Sequence, residues 1–360
     1  MADWLKPFEA SYRFMRVDRL TGFEKGQVDG IIGGTLSINQ DTATFESATV
    51  ETARFIDLGA DLIRCYLDAE WEDGTEESVV LGTWLVSIPS RSIDGISETC
   101  TAYLDGRLQE LQDDSFEAPI AVAKNTNIVS YTKNIITGIG LTASATPSSA
   151  KLGSRWTFGL ESEQDEDGGS KLDAVNALMR MAGYASASTD EMGTVVLKPY
   201  NDPSGKAPVW TFEEGVNATF LASATEEHDT RGVANVVLAI YETDEATTIG
   251  MAVDDDPSSP YSTASIGRRK VAKYAYDSTA TQAEADAKAK ELLETAQTVI
   301  KRLTVQHVHC PARVGDVVAV EWPSAGISGT YVVRTQDVEI GSAGCLTTSE
   351  LRAFERRGNA

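Results

Sequence analysis

Two histidines and a cysteine lie close together near residue 310. His307, His309 and Cys310 belong to the segment LTVQHVHC, and on a β-strand the two histidines would point to the same face. Imidazole and thiolate are zinc ligands, usually in sets of four. Cys345 or a carboxylate would have to complete such a set in space. We therefore interpret these residues as ordinary strand residues and predict no metal site.

Catalytic groups are sparse in the sequence. His228 stands among acidic residues, in a segment typical of an exposed loop. The sequence contains no G-x-S-x-G motif, no cysteine-protease signature and no phosphate-binding glycine motif. A glycosidase needs only two carboxylates about 5 to 9.5 Å apart, and Glu70, Glu72 and Asp73 are no better placed than many other acids. We predict no catalytic residue, no cofactor and no enzymatic activity.

Acidic residues dominate the charge of the chain. Its 360 residues include 54 Asp and Glu against 31 Lys and Arg, which gives a net charge of −23. Such a surface repels nucleic acid, because phosphate binding depends on clustered basic residues. The polar segment Ser162 to Lys171 is predicted to be a solvated loop without the calcium-binding spacing, and Asp254 to Asp256 a solvated turn.

The remaining composition is that of a folded protein without a membrane anchor. No apolar run approaches the roughly 20 residues of a membrane span, and the first residues lack the pattern of a signal peptide. Synthesis in a cytoplasm is therefore expected. The four cysteines, Cys65, Cys100, Cys310 and Cys345, are far apart and are predicted to be small buried residues.

The first hundred residues alternate between apolar and polar side chains in short runs. Runs rich in β-branched and aromatic residues, separated by Gly, Asp and Asn, are typical of a β-sandwich or barrel. The predicted strands are Ser11 to Arg19, Gly34 to Asp41, Ser47 to Phe55, Leu62 to Trp71, Ser78 to Ser90 and Ser97 to Asp105.

Helical spacing replaces this alternation in the middle of the chain. One predicted helix ends at Gly138 and a second ends at Gly183. A hairpin follows, with its tip at Thr189 to Gly193 and a strand over Thr194 to Tyr200. The apolar faces predicted for the two helices are Ile128, Val129, Thr132, Ile135 and Ile136, and Leu172, Val175, Leu178, Met179 and Met181.

Strands resume after residue 216 and enclose one further helix. A long surface loop is expected over Val253 to Gly267. Thr281 and Glu284 have the spacing of a capping box, and an apolar stripe continues to Leu303, so the helix is predicted over about 280–303. The predicted strands are Val233 to Thr243, 303–310, 315–322, 329–340 and 345–354.

These patterns predict a mainly β protein with α+β inserts. The expected domains are an N-terminal β domain (1–106), two small α+β inserts (107–160 and 161–215) and a C-terminal β domain (216–360). No internal repeat of the length that builds solenoids or propellers is visible, which disfavours both architectures.

Several segments resemble the phage tail hub family, the ring-forming proteins of the baseplate or tail tip. The opening YRFMRVDRLTGFEKGQVDG (Tyr12 to Gly30) and the GGTLSINQDTATFESATVE that follows it look like the start of hub-type minor tail proteins from phages of Gram-positive hosts. TQAEADAKAKELLE (Thr281 to Glu294) resembles the family's alanine-rich helix. The stretch from Val314 to Val333, together with the final LTTSELRAF, resembles its closing barrel segment, in which Gly315, Asp316, Gly329 and Tyr331 are structural residues.

The resemblance implies two tail-tube-like β domains, of barrel or sandwich type, that flank small α+β domains. Three chains would then form a ring of six quasi-equivalent barrels, which matches a six-fold tube above and a three-fold tip below. Implied partners are further copies of the chain, a tail tube or distal tail protein, a tip, fibre or receptor-binding protein, and a tape measure protein. Genomic DNA would pass through the ring without specific binding. The implied location is the distal end of the virion tail, after synthesis in the host cytoplasm.

Other functions remain open at this stage. The acidic surface could repel DNA within a channel, or it could simply keep a virion component soluble before assembly. A carbohydrate-active or glycan-binding surface protein would use exposed Trp71, Trp84 or Trp156 as sugar platforms, although each lies in or beside an apolar strand. A calcium-dependent adhesin is supported only by the acidic loops.

Overall fold

The chain forms two compact units. Residues 1–222 and 306–349 form the first unit, and residues 223–305 and 350–360 form the second. None of the helices in the described parts of the chain has the length and hydropathy that crossing a membrane requires. The computed structural model describes residues 3–95, 97–159, 169–201, 203, 205–229, 232–243, 246–276, 279–297, 299–341 and 345–355.

Seven strands occupy the first hundred residues, and they include all six predicted ones. Their burial alternates as expected of strands with one face on a core: in β4, Ala48 and Val50 are buried whereas Ser47 is exposed. The strands are β1 (Phe8–Val17), β2 (Glu24–Gln27), β3 (Ile31–Asn39), β4 (Glu46–Thr52), β5 (Leu62–Trp71), β6 (Glu76–Asp94) and β7 (Ser97–Gly106).

Short helices and strands alternate in the middle of the chain, as predicted. Asn127 caps the second helix by accepting a hydrogen bond from the Ser130 N–H, and Ser170 forms a capping box with Asp173 on the third. The prediction for Met181 was wrong: it lies in the last turn of that helix and is 51% exposed. The elements are α1 (Gln109–Gln112), β8 (Ile120–Val122), α2 (Ile128–Gly138), β9 (Ala143–Ala145), β10 (Trp156–Phe158), α3 (Lys171–Met181), β11 (Ser188–Thr189) and β12 (Val195–Leu197).

The predicted loop between the two central helices falls largely outside the described residues. Of Ser162 to Lys171, the structure describes only the end, 169–171. Ser170 is buried as the N-cap of α3, and Lys171 is its first helical residue. This end of the segment is therefore the start of a helix and not part of a loop.

The last third of the chain is again mainly β. A short 3-10 turn (Pro323–Ala325) joins two of its strands. Its elements are β13 (Trp210–Glu213), β14 (Phe220–Asp229), β15 (Val236–Glu242), β16 (Thr247–Val253), α4 (Thr263–Ile266), β17 (Val271–Tyr276), α5 (Gln282–Ala296), β18 (Val299–Val308), β19 (Val317–Trp322), β20 (Ile327–Ile340) and β21 (Leu346–Glu355).

The predicted helix over 280–303 was too long. Its start is correct, because Thr281 and Glu284 form the capping box. The helix ends at Ala296, and strand β18 begins at Val299. Leu303 and Val305 are buried on alternate positions of this strand, so the period is two here and not 3.6.

One large sheet contains most of the strands. Its order is β14-β18-β21-β20-β3-β4-β7-β6-β5-β1-β2, and β19 pairs with both β13 and β20. Strand β20 therefore links the two ends of the chain: it pairs antiparallel with β3, from Thr335 opposite Asn39 to Ile340 opposite Gly34. Smaller sheets are formed by β8 and β10, by β9, β11 and β12, and by β15, β16 and β17.

Two of the apolar cores in the described residues belong to the first unit. One lies against the large sheet and combines N-terminal residues such as Trp71 and Trp84 with Val338 and Ile340 of β20. The other lies among the central elements, where Ile136 of α2 and Leu178 of α3 are fully buried. The N-terminal strands and β20 thus stabilise a common core.

Candidate functional site

The large sheet is built from two strand sets with the same connectivity. In the N-terminal set, the order in space is β3-β4-β7-β6-β5-β1. In the C-terminal set it is β14-β18-β21-β20-β19-β13. The strands of each set can be numbered in chain order, leaving out β2 and the insertion that contains β15–β17 and α5. Both sets then have the same spatial order of strands. The sets differ in one pairing, since β1 and β5 are antiparallel whereas β13 and β19 are parallel.

The β5–β6 hairpin of the N-terminal set and the β19–β20 hairpin of the C-terminal set also have residue types in common. The first strand of each hairpin ends in Glu-Trp, at Trp71 and at Trp322, and a loop of four residues follows. The second strand of each contains Gly-Thr-aromatic, at 82–84 and at 329–331. In both sets a valine follows two residues after the aromatic ring and an isoleucine nine residues after it, at Ile93 and Ile340.

The glycine of the N-terminal triplet makes room for the ring, whereas the glycine of the C-terminal triplet lies at ordinary contact distance from it. A Cβ atom on Gly82 would lie 2.4 Å from two ring carbons of Trp84, and a Cβ on Gly329 would lie 3.6 Å from the ring of Tyr331. Trp84 and Tyr331 are both buried. Gly329 and Tyr331, singled out in the sequence, therefore lie at the same place in the C-terminal set as Gly82 and Trp84 in the N-terminal set.

Gly315 and Asp316 form the turn that leads into β19. Gly315 has a positive φ of 93°, and its N–H donates to the Val333 carbonyl at 2.8 Å. A carboxylate oxygen of Asp316 accepts a hydrogen bond from the Arg313 N–H at 2.9 Å. These contacts fix the start of the strand.

The junction between the two strand sets is a short antiparallel ladder with side-chain bonds across it. Ser37 Oγ donates to Asp337 Oδ1 at 2.6 Å, and the Gln40 N–H donates to the Arg334 carbonyl at 3.0 Å. Arg334 also forms an ion pair with Asp41. Main-chain pairing and matched polar groups therefore hold the two sets together.

His307, His309 and Cys310 are structural side chains. The ring nitrogens of His307 lie 2.7 Å from the Val308 carbonyl and 2.8 Å from Ser349 Oγ, and the ring of His309 packs edge-on against Trp4. Burial lowers the pKa of His307 to about 4 and that of His309 to about 3.

Cys310 is equally enclosed, and burial raises the pKa of its thiol to about 12. The prediction that all four cysteines are buried is confirmed. In the described part of the chain, no group of three His, Cys, Asp or Glu residues is placed to hold a metal ion.

The three acids considered for glycan hydrolysis do not line one site. Glu70 borders an open cavity of about 400 Å³, together with an ion pair in which Arg13 Nε lies 2.9 Å from Asp68 Oδ2. Asp73 lies in the β5–β6 loop and accepts a hydrogen bond from the Thr75 N–H, and the bonds from Thr75 lower its pKa. Glu72 is exposed in the same loop.

The segment Asp254 to Asp256 differs from the solvated turn that was expected. Asp254 is buried, and its Oδ2 accepts hydrogen bonds from Ser259 Oγ at 2.6 Å and from Gln297 Nε2 at 2.5 Å. The surrounding loop, Val253 to Gly267, contains the short helix α4. This carboxylate therefore organises the loop from within, while Asp255 and Asp256 remain exposed.

The remaining candidate residues, one histidine and three tryptophans, lie in strands. His228 is exposed as expected, but it lies in strand β14 and not in a loop, with Nε2 3.7 Å from Glu226. Trp71 is 4% exposed and Trp84 fully buried, so neither ring can stack on a sugar. Trp156 is half-buried beside Phe158.

The resemblance to tail hubs implied two tube-like β domains, but the sequence pattern by itself did not reveal the duplicated strand sets. Gly82 and Gly329 are separated by most of the chain, far beyond the repeat lengths considered, and the two strands share only a few residues. A search for Gly-Thr-aromatic followed by Ile at fixed spacing would have found the pair.

Comparison with known proteins places the fold. No protein-family model matches the chain, and no curated protein matches its sequence. Among solved structures, the tail protein from Neisseria meningitidis MC58 superposes with a TM-score of 0.64 at 14% identity, covering 95% of this chain and 97% of that one. The 43 kDa tail protein of prophage MuSo2 from Shewanella oneidensis gives 0.61 at 12% identity, covering 95% and 98%.

A VgrG complex shares the fold over part of its length. The Francisella PdpA-VgrG complex, in its lidded form, superposes with a TM-score of 0.57 at 6% identity and covers all of this chain and 54% of that one. The chain therefore has a fold found in these two tail proteins, one of them from a prophage, and in this VgrG complex. The mainly β fold class predicted from the sequence is confirmed.

Proposed function

We propose that this chain is a structural tail protein, a hub that assembles as a homotrimeric ring at the distal end of a phage tail. The ring closes the tail tube, adapts its six-fold symmetry to a three-fold tip and lines the channel through which DNA leaves. The likeness of the opening segment to hub-type minor tail proteins favours a phage of a Gram-positive host.

The duplicated strand order is the observation that carries this proposal. A chain with two equivalent strand sets offers two similar faces, and three such chains offer six. A ring of three copies can therefore match six tube subunits on one side and three tip subunits on the other. The proposed domains are the N-terminal β domain (1–106), the α+β inserts (107–160 and 161–215) and the C-terminal β domain (216–360).

The charge of the chain suits a channel for DNA. Each copy carries a net charge of −23, and three copies around one axis triple it, which opposes phosphate binding. Acidic residues facing the axis would let the genome slide without being retained. The proposed partners are a tail tube or distal tail protein on one face of the ring, a tip, fibre or receptor-binding protein on the other, and the tape measure protein.

Light scattering on the purified chain tests this function. One copy has a mass of 38.7 kDa, and a ring of three copies has three times that mass. We expect the threefold mass over a wide range of protein concentration. A chain that keeps the mass of a single copy at the highest concentration, or that hydrolyses glycans, would contradict the proposal.

A further inference from the structure

The junction between β3 and β20 joins the two strand sets within one chain. Within the chain, the outer half of β20 (335–340) pairs with β3, after its inner half (327–332) has paired with β19. In the duplicated order, β6 corresponds to β20 and β14 corresponds to β3. The inner half of β6 (76–85) pairs with β5 in the same way.

The outer half of β6 lacks the partner that β20 has. In the described part of the chain, Val86–Asp94 pairs with β7 on one side and with no strand on the other. The corresponding strand β14 is also at an end of the sheet, with β18 as its one neighbour in the described sheet order. Two edges are therefore open where their counterparts are joined.

Side-chain exposure agrees with this difference. Ile340 is 7% exposed next to β3, whereas Ile93 at the matching position of β6 is 61% exposed. On β14, all residues from Leu221 to His228 are exposed, whereas most residues of β3 are partly or fully buried. The outer half of β6 and strand β14 are thus as exposed as the outer half of β20 and strand β3 would be if those two strands were separated.

The main chain of β14 is oriented to accept another strand. The Val308 N–H donates to the Thr219 carbonyl at 2.9 Å, so residue 219 faces β18. Main-chain groups alternate in direction along a strand, and those of Ala222 and Ala224 therefore face away from β18. The acid Glu226 is already paired, with Oε1 2.6 Å from Lys301 Nζ, so its charge is balanced within its own sheet.

The geometry points to strand exchange between copies: β14 of one copy pairs antiparallel with the outer half of β6 in the next, as β3 pairs with β20 inside the chain. This inference rests on the proposed ring, and it names the surfaces that form it. The contact is head-to-tail, because the two faces differ, and such a contact closes into a ring when the rotation per copy divides a full turn.

Both edges carry features that limit pairing with unrelated strands. Glu226, Glu227 and His228 place charge on β14, and Pro89 removes one N–H from the outer half of β6. Charges and proline are common on exposed strands that must not aggregate.

Cysteine cross-linking tests the contact directly. Ser92→Cys on β6 is combined in turn with Ala222→Cys, Ser223→Cys, Ala224→Cys and Thr225→Cys on β14, which covers both faces and neighbouring registers. We expect at least one pair to form covalent trimers on oxidation, whereas each single variant stays uncrosslinked because the contact is head-to-tail. No cross-link from any pair, in a chain that light scattering shows to be trimeric, would overturn the inference and leave the proposed ring intact.

Edge-blocking variants provide a second test. Ala224→Pro removes an outward N–H from β14, and Ile93→Asp places a charge on the outer half of β6; each should weaken association by about tenfold or more. The matched control is Gln27→Pro on β2, the strand at the other end of the sheet, whose N–H faces away from β1. We expect this control to remain trimeric, and we expect Ala224→Pro and Ile93→Asp to stay folded when they dissociate into monomers. Trimers of normal stability from Ala224→Pro and Ile93→Asp would contradict the inference, whereas a monomeric unmodified chain would contradict the proposed function itself.

Discussion

The indole of Trp84 lies against the backbone of Gly82, so closely that a Cβ atom there would stand 2.4 Å from the ring. Tyr331 follows Gly329 at the same spacing in the second strand set, where a Cβ atom on the glycine would lie at an ordinary contact distance of 3.6 Å from the ring. A glycine two residues before a buried ring is thus a shared feature of both hairpins. This glycine marks the place where a large buried side chain packs against its own strand.

The first prediction concerns the space above this glycine. Gly82→Ala should lower the free energy of unfolding by about 1–3 kcal/mol, because the added methyl group forces Trp84 or the strand to move. Gly153→Ala is the matched control, since nothing lies within 4 Å of a Cβ at that position. Denaturant melts followed by tryptophan fluorescence would measure both. Equal stability of the two variants would show that Trp84 does not depend on Gly82.

The second prediction concerns Glu46, a carboxyl group buried near Thr189. Burial raises its pKa to about 8, with smaller contributions from Glu191 and Asp190, and its Oε2 has no hydrogen-bond partner in the described structure. A raised pKa in the folded state means that the unfolded chain releases this proton first, near pH 4.5. The associated stability is therefore complete below about pH 4.5 and is lost as the pH rises to 8.

Replacing Glu46 with glutamine should remove this dependence. We expect Glu46→Gln to melt at a temperature close to that of the unmodified chain at pH 5 and at a higher temperature at pH 8. Glu51→Gln is a suitable control, because Glu51 is an exposed residue of the same strand. Parallel pH profiles for the unmodified chain and Glu46→Gln would contradict the raised pKa of this buried acid.

The third prediction concerns the loop that Asp254 organises. Asp254→Ala leaves the buried donors of Ser259 and Gln297 without their acceptor, which should cost about 1–3 kcal/mol. Asp255→Ala removes a neighbouring exposed acid and should have little effect. Limited proteolysis within 253–267 would report the difference. Equal cleavage rates for the two variants would argue against the buried role of Asp254.

The fourth prediction concerns the native thiols. Cys65, Cys100, Cys310 and Cys345 are all buried, and burial raises the pKa of Cys65 and Cys310. A thiol reagent should therefore modify none of them in the folded chain and all four after denaturation. Rapid modification of any thiol in the native chain would contradict this burial, and would also require its removal before the cross-linking experiment.

Local patterns account for much of what the sequence predicted. The run of apolar and aromatic residues between turn residues located strand β5, Leu62–Trp71, at its observed bounds, and the helical apolar spacing from Leu172 located α3. The cap of α3 at Ser170 was missed, because the sequence pattern predicts a loop over Ser162 to Lys171. The long α5 shows where such patterns fail. Ala296, Ile300 and Leu303 continue helical spacing by chance, but the chain after Ala296 pairs as a strand in the large sheet. Pairing with distant strands determines the structure of that segment, and the local sequence pattern carries no information about this pairing.

The strand edges that we propose to pair between copies were harder to predict for the same reason. Strands β3 and β20 come from opposite ends of the chain, and nothing in the sequence of either strand identifies the other as its partner. The resemblance to tail hubs anticipated two β domains, and the strand order supplies the equivalence between β6 and β20. The exposure of Ile93 can be interpreted only once β6 is known to correspond to β20.

Electron microscopy of the purified assembly tests the central claim most directly. If the two strand sets act as quasi-equivalent units of a ring, class averages should show three copies around an open axis, with six similar lobes of density. A compact particle without an axial opening, or a ring whose lobes do not alternate between two similar shapes, would contradict the account.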